Sequence, residues 1–408
     1  MKILSVNKYF YLKGGSERYY FELNRLHSKN GHIVIPFSTL HEKNYPSEFE
    51  KYFINEVKYW EGLSNTKKIR TALNVIYSFE SKRKIEKLIN KVKPNIAHLH
   101  LICHQISPSI FPVLKKYNIP IVQTHHDYKL ICPTYSLVSK NVICERCKGK
   151  KYYNAIIQRC NHESLMASSV NALEMYLNNI FGWYNMPDVH ITPSKFMRDK
   201  LIEHGFPGDN IVHVPHFVDT KQYIYKDESQ KYFIYFGRLH TIKGIKTLIS
   251  AMSMIKASGF KLLIIGDGPQ REDLEGMSSA LRLENVSFVG YKNGKNLKDI
   301  ISKALFSIIP SEVYEIFGLT IVESMALGKP VIGARIGGIP ELINDGEDGL
   351  LFQSGNALDL SSKIQQLIDN PELCREMGIR GRQKIQLEFN ETIHYQNIKK
   401  IYDNLLNK

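Results

Sequence analysis

Residues 310–333, PSEVYEIFGLTIVESMALGKPVIG, hold a strand end, a loop, a helix and a second strand in one short run. A strand closes at Pro310, an acidic loop follows, and a helix runs from about Gly318 to Leu327. Gly328 stops that helix, since glycine accepts the left-handed backbone that ends helices. A second apolar strand, Val331–Gly333, opens directly after it. Two short buried strands joined through a helix pair in parallel, with a right-handed crossover. The same unit recurs on either side. Ile3–Val6, Ile33–Phe37, Ile96–Leu99 and Ile119–Gln123 read as buried strands in the first half, and Tyr232–Phe236, Lys261–Ile265, Val286–Phe288 and Leu305–Ile309 in the second. Such runs alternating with amphipathic stretches like Lys82–Val92 predict an α/β protein of two doubly wound domains. The seam falls in NIVHVPHFVD, residues 210–219, where a strand-like run meets Pro215 and the polar stretch Lys221–Lys231 follows.

Size and composition agree with two domains. The 408 residues exceed what one core of ~150 residues needs. Hydrophobic residues at 43% and charged residues at 23% exclude a disordered or fibrous chain. No apolar run approaches the ~18 residues of a membrane span. The start, MKILSVNKYF, reads as a first strand rather than a signal peptide, so a cytoplasmic address is expected. The net charge of +14 is uneven. Residues 1–190 carry 27 Lys and Arg against 14 Asp and Glu, a net of +13, while 191–408 carry 27 against 26, a net of +1. The first half therefore faces an anionic partner.

Three motifs point to phosphate and hydroxyl chemistry. The helix starting near Gly318 offers the free amides of Gly318, Leu319 and Thr320 to phosphate oxygens. Glu315 before it and Glu323 just over one turn into it bracket that place and can accept hydrogen bonds from hydroxyls; alone, two exposed glutamates read equally well. Upstream, YFIYF ends in Gly237-Arg238, and Lys243-Gly244 opens the next helix. Cations at the C-terminal end of such a strand sit where α/β sheets bind ligands, and a guanidinium fork beside an ammonium suits a diphosphate. Finally GGSE, Gly14 to Glu17, follows the first strand and precedes the helix pattern Tyr20–Asn30, so Gly14 and Gly15 let a ligand approach the backbone. Neither GGSE nor Gly266-Asp267-Gly268-Pro269 completes the G-x-G-x-x-G spacing, which argues against NAD.

Together these motifs resemble the retaining glycosyltransferases of family 4, which have the GT-B fold. The resemblance covers essentially the whole chain: GGSE, THHD at 124–127, GRLHTIKG at 237–244, GDGP at 266–269, VGY at 289–291, the Glu315 and Glu323 pair around Phe317-Gly318, and GGIPELI at 337–343. It implies two Rossmann-like domains facing each other across a donor-binding cleft. The first is an acceptor-binding domain of residues 1–214 with a crossover helix in 389–408; the second, 215–388, binds the donor. It implies transfer of a sugar from a UDP- or GDP-sugar to a glycan or lipid-linked acceptor in cell-surface polysaccharide biosynthesis, with no catalytic metal. Arg238 and Lys243 then neutralise the donor diphosphate, Glu315 binds donor-sugar hydroxyls, Glu323 binds the ribose, and the backbone at Gly318 and Leu319 holds phosphate. Gly290 and Tyr291 lie near the base. His126 matches the active-site histidine, with His125 in the variable place before it. Where the family often has Asn-Gly at the seam, this chain has His216-Phe217.

Rival readings share parts of this pattern. A GT-B isomerase or phosphorylase would use the same scaffold, but the full set of Arg238, Lys243, Glu315 and Glu323 favours nucleotide-sugar transfer. A non-catalytic polyanion-binding protein would explain the basic half and leave the carboxylates idle. Two features lie outside the shared motifs. Cys132, Cys144, Cys147 and Cys160 form a Lys- and Tyr-rich insertion, and either bind a structural zinc or remain free thiols. Residues 66–93 hold nine Lys or Arg (67, 68, 70, 82, 83, 84, 87, 91 and 93) against Glu80 and Glu86. That basic face suits the anionic inner surface of the cell membrane; nucleic acid is not expected, since no recognition motif accompanies the charge.

Overall fold

The computed structural model describes residues 1–57, 65–256 and 259–407, and of residues 65–70 the backbone only. The chain forms two compact units, Met1–Lys140 with Cys144–Val214 and Tyr395–Lys408, and Asn141–Ile143 with Pro215–His394.

In the first unit, β1 (Lys2–Val6), β2 (Ile33–Phe37), β3 (Ile96–Leu99), β4 (Ile121–Thr124), β5 (Val189–Thr192) and β6 (Ile211–His213) form a parallel sheet in the order β6-β5-β4-β3-β1-β2. Leu4 of β1 aligns with Ile35 on one side and Ala97 on the other, and all three are buried. The helix Gly15–Lys29 lays Tyr19, Tyr20, Leu23 and Leu26 inward, the spacing of one helical face. Residues Tyr395–Lys408 belong to this unit too. The Tyr402 ring is fully buried, and its hydroxyl hydrogen-bonds His98 Nδ1 at 2.5 Å and His27 Nε2 at 3.2 Å.

In the second unit, β7 (Tyr232–Phe236), β8 (Lys261–Ile265), β9 (Val286–Gly290), β10 (Ser307–Ile309), β11 (Val331–Ala334) and β12 (Gly349–Phe352) form a second parallel sheet, ordered β9-β8-β7-β10-β11-β12. Phe233 of β7 stacks on Phe306 at 4.8 Å between centroids in a continuous apolar core. Burying each such ring stabilises the unit by about 1.5–3 kcal/mol.

Both sheets are doubly wound and Rossmann-like. From β1 the chain adds β2 on one side and β3 on the other; from β7 it adds β8 on one side and β10 on the other. The loops leaving β1 and β3, and those leaving β7 and β10, therefore open at the switch points where such sheets bind ligands. Of the twelve strands in the two large sheets, two escape the pattern reading. Val189–Thr192 carries His190, whose burial is licensed by His125, 2.8 Å away across the sheet, and Gly349–Phe352 is four residues opened by a glycine. Among the described residues no helix is long and apolar enough to cross a membrane.

Candidate active site

Arg238 follows β7 in a loop fixed by Tyr235, whose hydroxyl donates to the Arg238 carbonyl at 2.9 Å. The guanidinium is exposed, and among the described residues no carboxylate pairs with it. A tight turn, Thr241–Lys243, comes next, and Gly244 after it has φ 66°. A Cβ on Gly244 would lie 1.8 Å from the Pro310 carbonyl oxygen, so only glycine lets this turn press against the end of β10. That approach brings Lys243 to Glu315. The Lys243 Nζ stands 2.5 Å from Glu315 Oε1, and the Ser311 hydroxyl donates to the same oxygen at 2.6 Å.

Glu315 is held from the other side by the loop after β11. The Gly338 N–H donates to the Glu315 carbonyl at 2.7 Å, and a Cβ on Gly337, φ 59°, would stand 2.4 Å from the Glu315 nitrogen. The paired glycines of GGIPELI thus seat the carboxylate loop. Burial by itself raises the Glu315 carboxyl, but the Lys243 charge with the hydrogen bonds from Lys243 and Ser311 outweighs it and leaves the group below the usual carboxylate range.

Gly318 caps the helix Leu319–Ala326 with φ 115°. The first backbone donors back to Gly318 are the amides of Ile321 and Val322, so those of Gly318, Leu319 and Thr320 precede the intrahelical ladder. Glu323 lies on the helix's inner side. It is buried and accepts from the Tyr223 hydroxyl at 3.1 Å, while Lys298 Nζ sits 4.3 Å over the Tyr223 ring. At the far end of β8 and β9, the Gly290 carbonyl accepts from the Gly266 N–H at 3.0 Å, and the neighbouring Tyr291 is exposed. The second unit thus gathers Lys243, Glu315, Glu323 and the helix amides at the ends of β7 and β10. Ser311 and Tyr223, which touch the two carboxylates, carry no motif of their own; Tyr223 is 100 positions from Glu323.

In the first unit, Gly14 and Gly15 open the helix Gly15–Lys29 after β1, with Gly14 extended at φ −166°. His126 follows β4. Its Nε2 hydrogen-bonds His100 Nδ1 at 3.1 Å, and the Tyr19 ring packs 5.3 Å away. Burial, with Lys8 assisting, lowers its imidazolium pKa to about 3, so His126 is neutral at pH 7. His125 is turned to His190 at 2.8 Å and serves the sheet.

The zinc reading finds no ligand geometry. Among the described residues no group of three or more His, Cys, Asp or Glu side chains is arranged to hold a metal, and none of the four cysteines is in a disulfide. They are electrostatic neighbours all the same: burial, then the thiols of Cys132, Cys160 and Cys144, push Cys147 up to about 12. Cys160 instead donates to the Ser139 hydroxyl at 3.7 Å. On the helix Phe79–Val92, Lys82, Arg83 and Lys87 are exposed, but Lys84 is not free: it pairs with Glu80 at 3.1 Å and donates to the Phe53 carbonyl. The side chains of Lys67, Lys68 and Arg70 lie outside the described residues.

Residues 13–222 match Glycosyltransferase Family 4, and residues 219–384 match Glycosyl transferases group 1. N-acetyl-alpha-D-glucosaminyl L-malate synthase of Bacillus anthracis is 28% identical over 342 residues, 75% of this chain and 86% of that one. In fold, the chain is similar to a sucrose-phosphate synthase from Thermosynechococcus elongatus, with TM-score 0.73, 22% identity and coverage of 100% of this chain and 99% of the other. It is similar too to HepE of Anabaena solved with UDP and glucose, with TM-score 0.66, 16% identity and 99% of each chain covered.

Proposed function

The chain belongs to Glycosyltransferase Family 4, a GT-B glycosyltransferase, and from that premise we propose that it transfers a sugar from a nucleotide diphosphate sugar to a glycan or lipid-linked acceptor with retention of configuration. The observation that carries this reading is the convergence of Lys243, Glu315, Glu323 and the amides before Leu319 at the ends of β7 and β10. As the bond from sugar to phosphate lengthens, positive charge spreads over the sugar and negative charge grows on the leaving diphosphate. Arg238 and Lys243 supply cations for that charge, and the amides of Gly318, Leu319 and Thr320 supply donors already oriented by the helix. Glu315, ionised by its contact with Lys243, accepts from the sugar hydroxyls, and Glu323 accepts from the ribose. Gly290 and Tyr291 border the base.

His126, neutral at working pH, contributes a hydrogen bond rather than a charge, and Gly14 and Gly15 offer backbone amides. The departing phosphate takes the acceptor's proton on the same face, so no carboxylate nucleophile is required. UDP in the HepE structure supports a uridine donor as the first to try. The +13 charge of residues 1–190 supports peripheral docking on an anionic membrane during cell-surface polysaccharide synthesis. A panel of UDP- and GDP-sugars assayed for nucleotide release with and without a lipid-linked or soluble glycan tests the proposal. Acceptor-dependent release is expected; release with no acceptor dependence, or none with any donor, overturns it.

A further inference from the structure

The helix Leu165–Ile180 of the first unit is built inside out. Its buried side carries Ser168, Asn171, Glu174 and Asn178 among Ala167 and Met175. Glu174 Oε2 is paired there with Lys129, 2.6 Å away, and with His104 at 3.1 Å. The opposite side carries Leu165, Met166, Val170, Leu173, Leu177 and Ile180, and Glu174 is the helix's only charged residue. Leu165, Met166, Leu173 and Ile180 are between 49% and 71% exposed. Helices packed on a soluble core show the reverse pattern.

The apolar surface continues past the helix's C-terminal end and along one flank. Phe181 stacks on Trp183 at 4.9 Å, Trp183 meets Tyr77 at 5.2 Å, and Tyr77 meets Phe79 at 5.2 Å. Phe79 opens the basic helix, with Lys82 and Arg83 one turn on. On the other flank, the helix Tyr153–Ile157 is joined to Leu165–Ile180 by the Tyr152 and Tyr176 rings at 5.2 Å, and it exposes Tyr153 and Ile157. Arg146, Lys150, Lys151 and Arg159 are exposed around it. An apolar strip is thus rimmed by cations on both sides.

We infer that this strip inserts into the interfacial layer of an anionic lipid bilayer, the inference resting on the peripheral-membrane reading above and locating its contact. The sixteen-residue helix, ~24 Å long at 1.5 Å per residue, is too short to span and suited to lie in the plane, with apolar side chains among acyl chains and the cations at headgroup level. A second copy of this chain is the poorer occupant: a two-fold contact through the same patch sets one basic rim against the other.

The test uses the full chain. Leu173→Glu with Ile180→Glu places charges on positions that already face out, so folding is expected to survive. Sedimentation with vesicles of equal parts phosphatidylglycerol and phosphatidylcholine should show binding about tenfold weaker or worse than wild type. Trp60→Phe leaves Trp183 as the single tryptophan, and its fluorescence should be quenched by brominated lipid in those vesicles. Unchanged binding by the double variant, or an unquenched Trp183 in bound protein, overturns the inference, as does a wild-type dimer in light scattering that the double variant converts to monomer. Lys82→Gln, Arg83→Gln and Lys87→Gln combined separate the two levels. If only that variant loses binding, docking stands and the apolar contact falls; if wild type ignores anionic vesicles, both fall.

Discussion

Lys243 Nζ and Glu315 Oε1, 72 positions apart in the chain, stand 2.5 Å from each other beyond the ends of two adjacent strands, β7 and β10. The contact joins the proposed phosphate cation to the proposed sugar carboxylate, so each organises the other before any donor arrives. Glu315 is ionised because Lys243 and Ser311 outweigh its burial. Its lowered pKa makes that contribution to stability complete above the ordinary carboxylate value of ~4.3, and it is lost as pH falls through the folded pKa below that.

Arg238→Ala and Lys243→Ala should therefore differ in one respect and agree in another. Each removes charge stabilisation that grows in the transition state, so turnover at saturating donor should fall about 10²- to 10³-fold in both. Only Lys243→Ala leaves a largely buried carboxylate unpaired, at a cost of about 1–3 kcal/mol. Calorimetry should show a lower Tm for that variant and an unchanged one for Arg238→Ala, whose side chain is exposed. Near-normal turnover in both would remove the phosphate assignment.

The two glutamates should separate in binding assays. Glu323→Gln is expected to weaken binding of the product nucleoside diphosphate, since its proposed partner is the ribose. Glu315→Gln should leave product binding nearly intact and depress transfer. Tyr223→Phe, which removes the hydroxyl that Glu323 accepts from, should resemble a milder Glu323→Gln. Titration calorimetry with the diphosphate product checks all three, and equal losses for Glu315→Gln and Glu323→Gln would contradict this division of roles.

What the sequence reveals here and what it hides have physical causes. The strands β7, β8 and β10 and the helix stop at Gly328, φ 73°, were readable because apolar runs and positive-φ stops are local properties. Val189–Thr192 was not, because a strand with His190 inside becomes acceptable only once His125 lies beside it. Ser311 and Tyr223 likewise acquire meaning only when folding brings them to Glu315 and Glu323. The inside-out helix Leu165–Ile180 escaped notice because its apolar side looks like any core-facing stripe until the other side is seen to be buried. In the basic helix, charge counting grouped Lys84 with Lys82, Arg83 and Lys87, whereas only the fold shows Lys84 occupied by Glu80.

Buried histidines predict an acid limit to stability. Burial pushes His190 and His394 down to about 3, against ~6.5 for an unfolded histidine. Between those values the unfolded chain binds protons that the folded chain refuses. Stability is therefore lost as pH falls below ~6.5, by about 1.4 kcal/mol per pH unit for each such histidine. His394 Nδ1 hydrogen-bonds the Pro215 carbonyl at 2.8 Å, and a glutamine amide can supply that donor. Denaturant unfolding of His394→Gln from pH 7 to 5 should show a shallower decline than wild type, and an unchanged slope would mean that His394 is protonated in the folded state.

Electrostatic docking makes a last, separable prediction about the helix Phe79–Val92. Its exposed cations Lys82, Arg83 and Lys87 are free to meet anionic headgroups, each contributing roughly 1 kcal/mol near the surface. Lys84 instead stabilises the unit through Glu80 and the Phe53 carbonyl. Replacing the first three with Gln should lower vesicle binding and activity on a lipid-embedded acceptor while leaving Tm unchanged; adding Lys84→Gln should lower Tm with little further loss of binding. Turnover on a soluble acceptor should be unchanged in the triple variant, since the donor groups lie in the other unit. The electrostatic part of binding should fade as salt shortens the screening length from ~10 Å at 0.1 M to ~3 Å at 1 M. Sedimentation that does not distinguish neutral from anionic vesicles would leave the basic helix as a solvated surface.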